Sequence, residues 1–112
     1  MKCFNRTKNI QVAASVEKAD TAIRRMVGLL SRSGLGPEEG LLLSPCPQVH
    51  TFFMRFVMDA VFLDRGGKVL LVIGSMKPWR VSPWVSGSHS VLELAGGAAA
   101  GKISEGDVLS FE

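Results

Sequence analysis

Ile10, Val12, Ala14 and Val16 alternate with Gln11, Ala13 and Ser15. A period of two is that of a strand with one buried face. The pattern changes after Asp20, which can cap a helix by accepting backbone N–H bonds of its first turn. Ile23, Met26, Val27 and Leu30 then follow at helical spacing and form one apolar stripe, with Arg24, Arg25 and Arg32 off it. Gly34, Gly36 and Pro37 end the segment. The spacing predicts a helix near residues 20–31.

Beyond it the apolar runs are short and often interrupted. Leu41 to Leu43 reads as a buried strand closed by Pro45 and Pro47. His50 to Phe56 reads as extended and very apolar. Ala60 to Leu63 and Lys68 to Ile73 flank Gly66-Gly67, a hairpin signal, since glycine permits the positive φ of tight turns. Residues 74–90 hold two Pro and two Trp and read as a long irregular loop. Val91 to Leu94 and Val108 to Phe111 are the last two strands. The expected fold is mainly β with some α+β character. It is a single-domain antiparallel β-sandwich or partly open barrel of six to seven short strands with one packed helix, spanning residues 1–112.

Composition narrows the class without naming an activity. At 112 residues with 46% hydrophobic and 21% charged, the chain has enough apolar matter for one core. The apolar stretch from Thr51 to Leu63 is broken by Arg55 and Asp59, and no window reaches the length of a membrane helix. The N-terminus lacks the apolar core of a secretory signal, so a cytoplasmic location without membrane partners is expected. Cys3 and Cys46 are expected to be free thiols there. The net charge of +3 is scattered over residues 1–80 and reversed afterwards, and there is no Tyr. Nucleic-acid binders group their cations on one face, so nucleic acid is not an expected partner. The sequence carries no signal for or against self-association.

Two motifs look chemical and read as accidents. Gly96 to Lys102 matches G-x-x-x-x-G-K, but Ile103 stands where a phosphate loop needs Ser or Thr. Cys46, His50 and His89 are too few and too scattered to define a zinc site, and no metal or other cofactor is expected.

A third group has more substance. His50, Arg55 and Asp59 share one segment, and Arg55 and Asp59 lie on one side whether it is extended or helical. One reading is a structural Arg55–Asp59 pair. The other is a cationic anchor, oriented by a carboxylate, for a small anionic ligand. His50 and Asp59 are the weak candidates for acid–base catalysis in a small hydrolase. Lys77, Trp79 and Arg80 add cations and an aromatic ring in a loop, where Trp79 either stacks a ligand or, with Trp84, roofs the core. Glu93, between Leu92 and Leu94, is expected to face solvent.

Arg25-x-x-Gly28-Leu29-x-x-Arg32, the run from His50 through Arg55 to Asp59 and Asp64, Lys77-Pro78-Trp79-Arg80, Val91-Leu92-Glu93-Leu94-x-x-Gly97 and Gly106-Asp107 occur in that order. Together they resemble the prokaryotic family called domain of unknown function one hundred ninety-two, over about residues 8–112. Val57-Met58 replaces the small residue or Pro–Ile more usual before the Asp. The resemblance implies a small β-rich, sandwich-like domain with one packed helix, and it supplies no catalytic residues or cofactor. Three functions stay open: a binding or accessory module for a small anionic ligand at His50, Arg55, Asp59, Lys77, Trp79 and Arg80; a small hydrolase; and a structural or protein-interaction module.

Overall fold

The computed structural model describes residues 1–19 and 34–112. The predicted helix near 20–31 lies outside the described residues.

Among the described residues, eight strands form two sheets. A three-stranded sheet runs β2 (Ile10–Ala13), β1 (Cys3–Asn5), β8 (Leu109–Phe111). A five-stranded sheet runs β3 (Ser15–Ala19), β4 (Glu39–Leu43), β7 (Ser90–Ala95), β5 (Met58–Leu63), β6 (Val69–Met76). The sandwich-like expectation holds at this level, and the sheets do not close into a barrel.

Three expectations need correction. The alternating run 10–16 is not one strand. The Ala14 and Ser15 N–H groups both donate to Glu38 O, and the chain passes there from one sheet to the other. The fold is not wholly antiparallel, because β3 and β4 pair in parallel. Their connection, residues 20–38, is long enough for the crossover that parallel pairing requires. Finally, eight strands stand among the described residues where six to seven are expected, because Cys3-Phe4-Asn5, β1, is too short to show a period.

Two apolar clusters sit on opposite faces of the large sheet. Leu42, Val61, Leu63, Leu92 and Leu94 point toward the small sheet and meet Cys3, Val12 and Leu109. Their neighbours Leu41, Leu43, Ala60, Phe62 and Val91 point the other way and meet Cys46, Val49 and Met54 of the segment after β4. Strands β5 and β7 are therefore buried on both faces, which is why they read as near-continuous apolar runs. Cys3 and Cys46 are both buried and lie in different clusters. Burial pushes the Cys3 thiol up to about 12, which leaves it unreactive.

The Gly66-Gly67 turn joins β5 to β6 as expected. Gly67 has φ +86, and a Cβ there would stand 2.3 Å from Leu109 O, so no other residue fits.

Candidate functional site

An irregular two-stranded ribbon organises the surface beside the large sheet. Cys46 N donates to His89 O at 3.0 Å, Val85 N to Pro47 O at 2.9 Å and Ser82 N to Val49 O at 2.9 Å. His50 and Val81 form a bridge, and Thr51 N donates to Arg80 O at 2.8 Å. Segments 46–51 and 80–89 thus run side by side, with Thr51 at one end and His89 at the other.

Thr51 is fully buried and ties two loops together. Its hydroxyl donates to Lys77 O at 2.6 Å and accepts from Arg80 N at 2.9 Å, while its carbonyl accepts from Trp79 N at 3.0 Å. Above it four rings meet. The centroids of His50 and Phe52 are 5.1 Å apart, those of Phe52 and Trp79 6.0 Å, and those of Phe53 and Trp79 4.7 Å. Phe53 is 69% exposed and Trp79 56%. Both have left-handed backbone, φ 65 and φ 64. A left-handed non-glycine residue costs roughly 1–2 kcal/mol, and each of the three aromatic pairs returns about 1 kcal/mol. Two strained residues thus hold two rings in water, and the ring contacts do little more than offset the strain. Strain of this kind collects at binding and catalytic sites.

The segment 51–56 is therefore a turn and not an extended run, and Phe52 and Phe53 face outward while Phe56 packs against the core. Trp79 and Trp84 do not roof the core, since Trp84 is 69% exposed as well. The cations Arg55, Lys77 and Arg80 are exposed on the same loops.

Asp59 is elsewhere. It is buried on β5, and its carboxylate accepts from Ser75 N at 2.7 Å, Gly97 N at 2.9 Å and Ala99 N at 2.8 Å. It makes no ion pair with Arg55 and no hydrogen bond with His50. The proposed anchor-and-carboxylate arrangement and the His50–Asp59 catalytic pair are not assembled. Asp59 fills backbone donors that a strained turn, Ser75 with φ 51, and the Gly97–Ala99 loop would otherwise leave unpaired. The loop that mimics a phosphate loop in sequence does receive an anion, and it is the chain's own carboxylate. Gly96 lets this loop approach, because a Cβ there would meet Val57 Cγ1 at 2.8 Å. His50 turns Nδ1 to its own loop, accepting from Phe52 N at 3.3 Å.

Glu93 is buried, not solvent-facing. Its cross-strand neighbours Leu41 and Ala60 belong to the cluster that also holds Met54 and Val49. Burial pushes its carboxyl up to about 8. Among the described residues no three His, Cys, Asp or Glu side chains gather as a metal site, and no helix is long and apolar enough to cross a membrane.

Residues 4–111 match the family profile DUF192, described as Uncharacterized ACR. The chain belongs to this family. A UPF0127 protein of Pyrococcus horikoshii is 32% identical over 83 residues, 69% of this chain and 69% of that protein. A crystal structure of a protein of unknown function from Novosphingobium aromaticivorans superposes with a TM-score of 0.83 at 23% identity, covering 98% of this chain and 82% of that one. Another, from Sinorhizobium meliloti and described as a candidate transcription regulator, gives 0.77 at 20% identity, covering 97% and 89%. At these identities the solved structures establish the fold alone. The family motifs cover both loops of the ring cluster, and Thr51, Phe52 and Phe53 lie within them without being among the expected site residues. An aromatic pair in a Pro-flanked segment was the available signal.

Proposed function

We propose that this protein is a binding module that uses the ring platform of His50, Phe52, Phe53 and Trp79, and that its ligand offers a flat face and an anionic group. The observation that carries the reading is the pair of exposed rings, Phe53 and Trp79, held on left-handed backbone over a buried threonine. Ring contacts that only about balance the backbone strain leave little net stability in that arrangement.

Charge supports the anionic part. Residues 40–58 and 65–92 contain no Asp or Glu, so Arg55, Lys77 and Arg80 stand beside the rings with no carboxylate on either loop. Rings supply stacking area at low entropic cost, and guanidinium groups supply paired donors for phosphate or carboxylate. Asp59 is left as the support that fixes the Gly97 loop and Ser75.

A thermal-shift screen of aromatic carboxylates, aryl phosphates and anionic sugars tests the reading. A hit should raise the melting temperature of the wild type and not that of Trp79→Ala or Arg55→Ala. No hit, or equal response in the variants, rejects it. Exposed Trp84 and Val81 favour a second reading, a protein-interaction face, for which light scattering that shows reversible self-association lost in Trp84→Ala would be the sign.

A further inference from the structure

The other end of the ribbon carries a different surface. Two depressions meet at Asp64, Arg65, Gly66 and His89. The smaller, about 390 Å³, is also walled by Lys18 and Ser44. The larger, about 560 Å³, runs along Pro45, Pro47 and Gly87. They form one groove, narrow and cationic at one end and roomier and flanked by prolines at the other.

The donors in the narrow part come from three separate elements. Lys18 is on β3, Arg65 is in the β5–β6 turn, and His89 stands just before β7. Lys18 and Arg65 are exposed and belong to neither ion pair found among the described residues, which join Arg6 to Glu112 and Lys8 to Asp107. His89 is held on both sides of its backbone, donating to Leu63 O at 2.8 Å and accepting from Cys46 N at 3.0 Å. Its Nε2 is 3.3 Å from Ser44 Oγ. Among the described residues one carboxylate lines the groove, that of Asp64. Its Oδ1 is committed to the turn, accepting from Gly66 N and Lys68 N, both at 2.9 Å. Two full positive charges, of Lys18 and Arg65, thus face the cavity against the single negative charge of Asp64. Donors that arrive from three elements suit a tetrahedral group better than a planar one.

We propose that this groove binds a small phosphate monoester. The phosphate sits among Arg65, Lys18 and His89, and the organic part lies against Pro45 and Pro47. The site is separate from the ring platform and does not depend on it.

Amide chemical-shift titration at fixed ionic strength tests the proposal with two probes, inorganic phosphate and glycerol 3-phosphate. Both should give saturable shifts at Arg65, Gly66 and His89. Glycerol 3-phosphate should bind at least three-fold more tightly, because it alone reaches the larger chamber. Arg65→Ala and Lys18→Ala, both at exposed positions where the fold is not at stake, should each weaken binding at least five-fold. Trp79→Ala should leave it unchanged, which separates this site from the platform. Shifts that never saturate, that sodium chloride reproduces, or that survive Arg65→Ala overturn the site. Equal affinity for the two probes overturns the role of the larger chamber.

Discussion

Asp59 Oδ2 accepts the Ala99 N–H at 2.8 Å, which makes a β5 side chain the anchor of the loop after β7. Two more backbone N–H groups, of Ser75 and Gly97, depend on the same carboxylate. Asp59→Ala should cost roughly 3–4 kcal/mol, because buried donors lose charged acceptors. Asp59→Asn should cost less, roughly 1–3 kcal/mol, because its amide oxygen still accepts while its NH₂ opposes one donor. Urea denaturation at neutral pH measures both.

Glu93 sets a pH dependence of opposite sign to the usual carboxylate. Its pKa is pushed from an ordinary 4.5 to about 8 in the folded chain. Between those values the folded state holds a proton that the unfolded state has released. Stability is full below about pH 4.5 and is lost as pH rises toward 8. The loss is on the order of 5 kcal/mol across the window. Glu93→Gln should flatten the dependence and be the more stable protein at pH 8. A wild type whose stability does not fall from pH 5 to pH 8 contradicts this.

Asp107 acts at the acid end. Hydrogen bonds from Lys8 and Asn5 hold its carboxyl down at about 2 against an ordinary 3.8. Its contribution is present above about pH 3.8 and disappears as pH falls toward 2. Lys8→Ala should shrink the acid-side loss, as seen by comparing denaturation midpoints at pH 5 and pH 2.5.

Thr51→Val keeps the volume and removes the hydroxyl that joins Lys77 to Arg80. Both backbone groups lose a partner in a partly buried place, at a cost of about 1–2 kcal/mol. The rings should also lose their fixed geometry. The check is broadening or averaging of the Trp79 indole resonance in proton NMR, beside a lowered melting temperature.

Much of the large sheet was legible because burial on both faces leaves apolar runs between glycine turns, as in Ala60–Leu63, Gly66-Gly67 and Val91–Leu94. The site was legible in part. Trp79, Arg80 and Lys77 declared themselves as ring and cations in a loop. Phe52 and Phe53 did not, because apolar density normally signals burial and here two strained residues turn it outward. Asp59 and Arg55 were joined on spacing alone, whereas backbone donors from two distant loops, at Ser75 and Gly97, won the carboxylate. Glu93 looked solvent-facing because period two assumes a wet face, and both faces of β7 are dry.

The central claim is that Phe53 and Trp79 are held out for a ligand and not for stability. Phe53→Gly and Trp79→Gly measure it most directly, since glycine relieves the left-handed strain while removing the ring. Stability should stay within about 1 kcal/mol of wild type, because relief of strain offsets the lost ring contact. Chemical-shift mapping with the aromatic carboxylate and aryl phosphate panel should find perturbations centred on His50, Phe52, Phe53 and Arg80 in the wild type and none in the glycine variants. Variants that lose 3 kcal/mol or more, or that bind the panel as the wild type does, would contradict it.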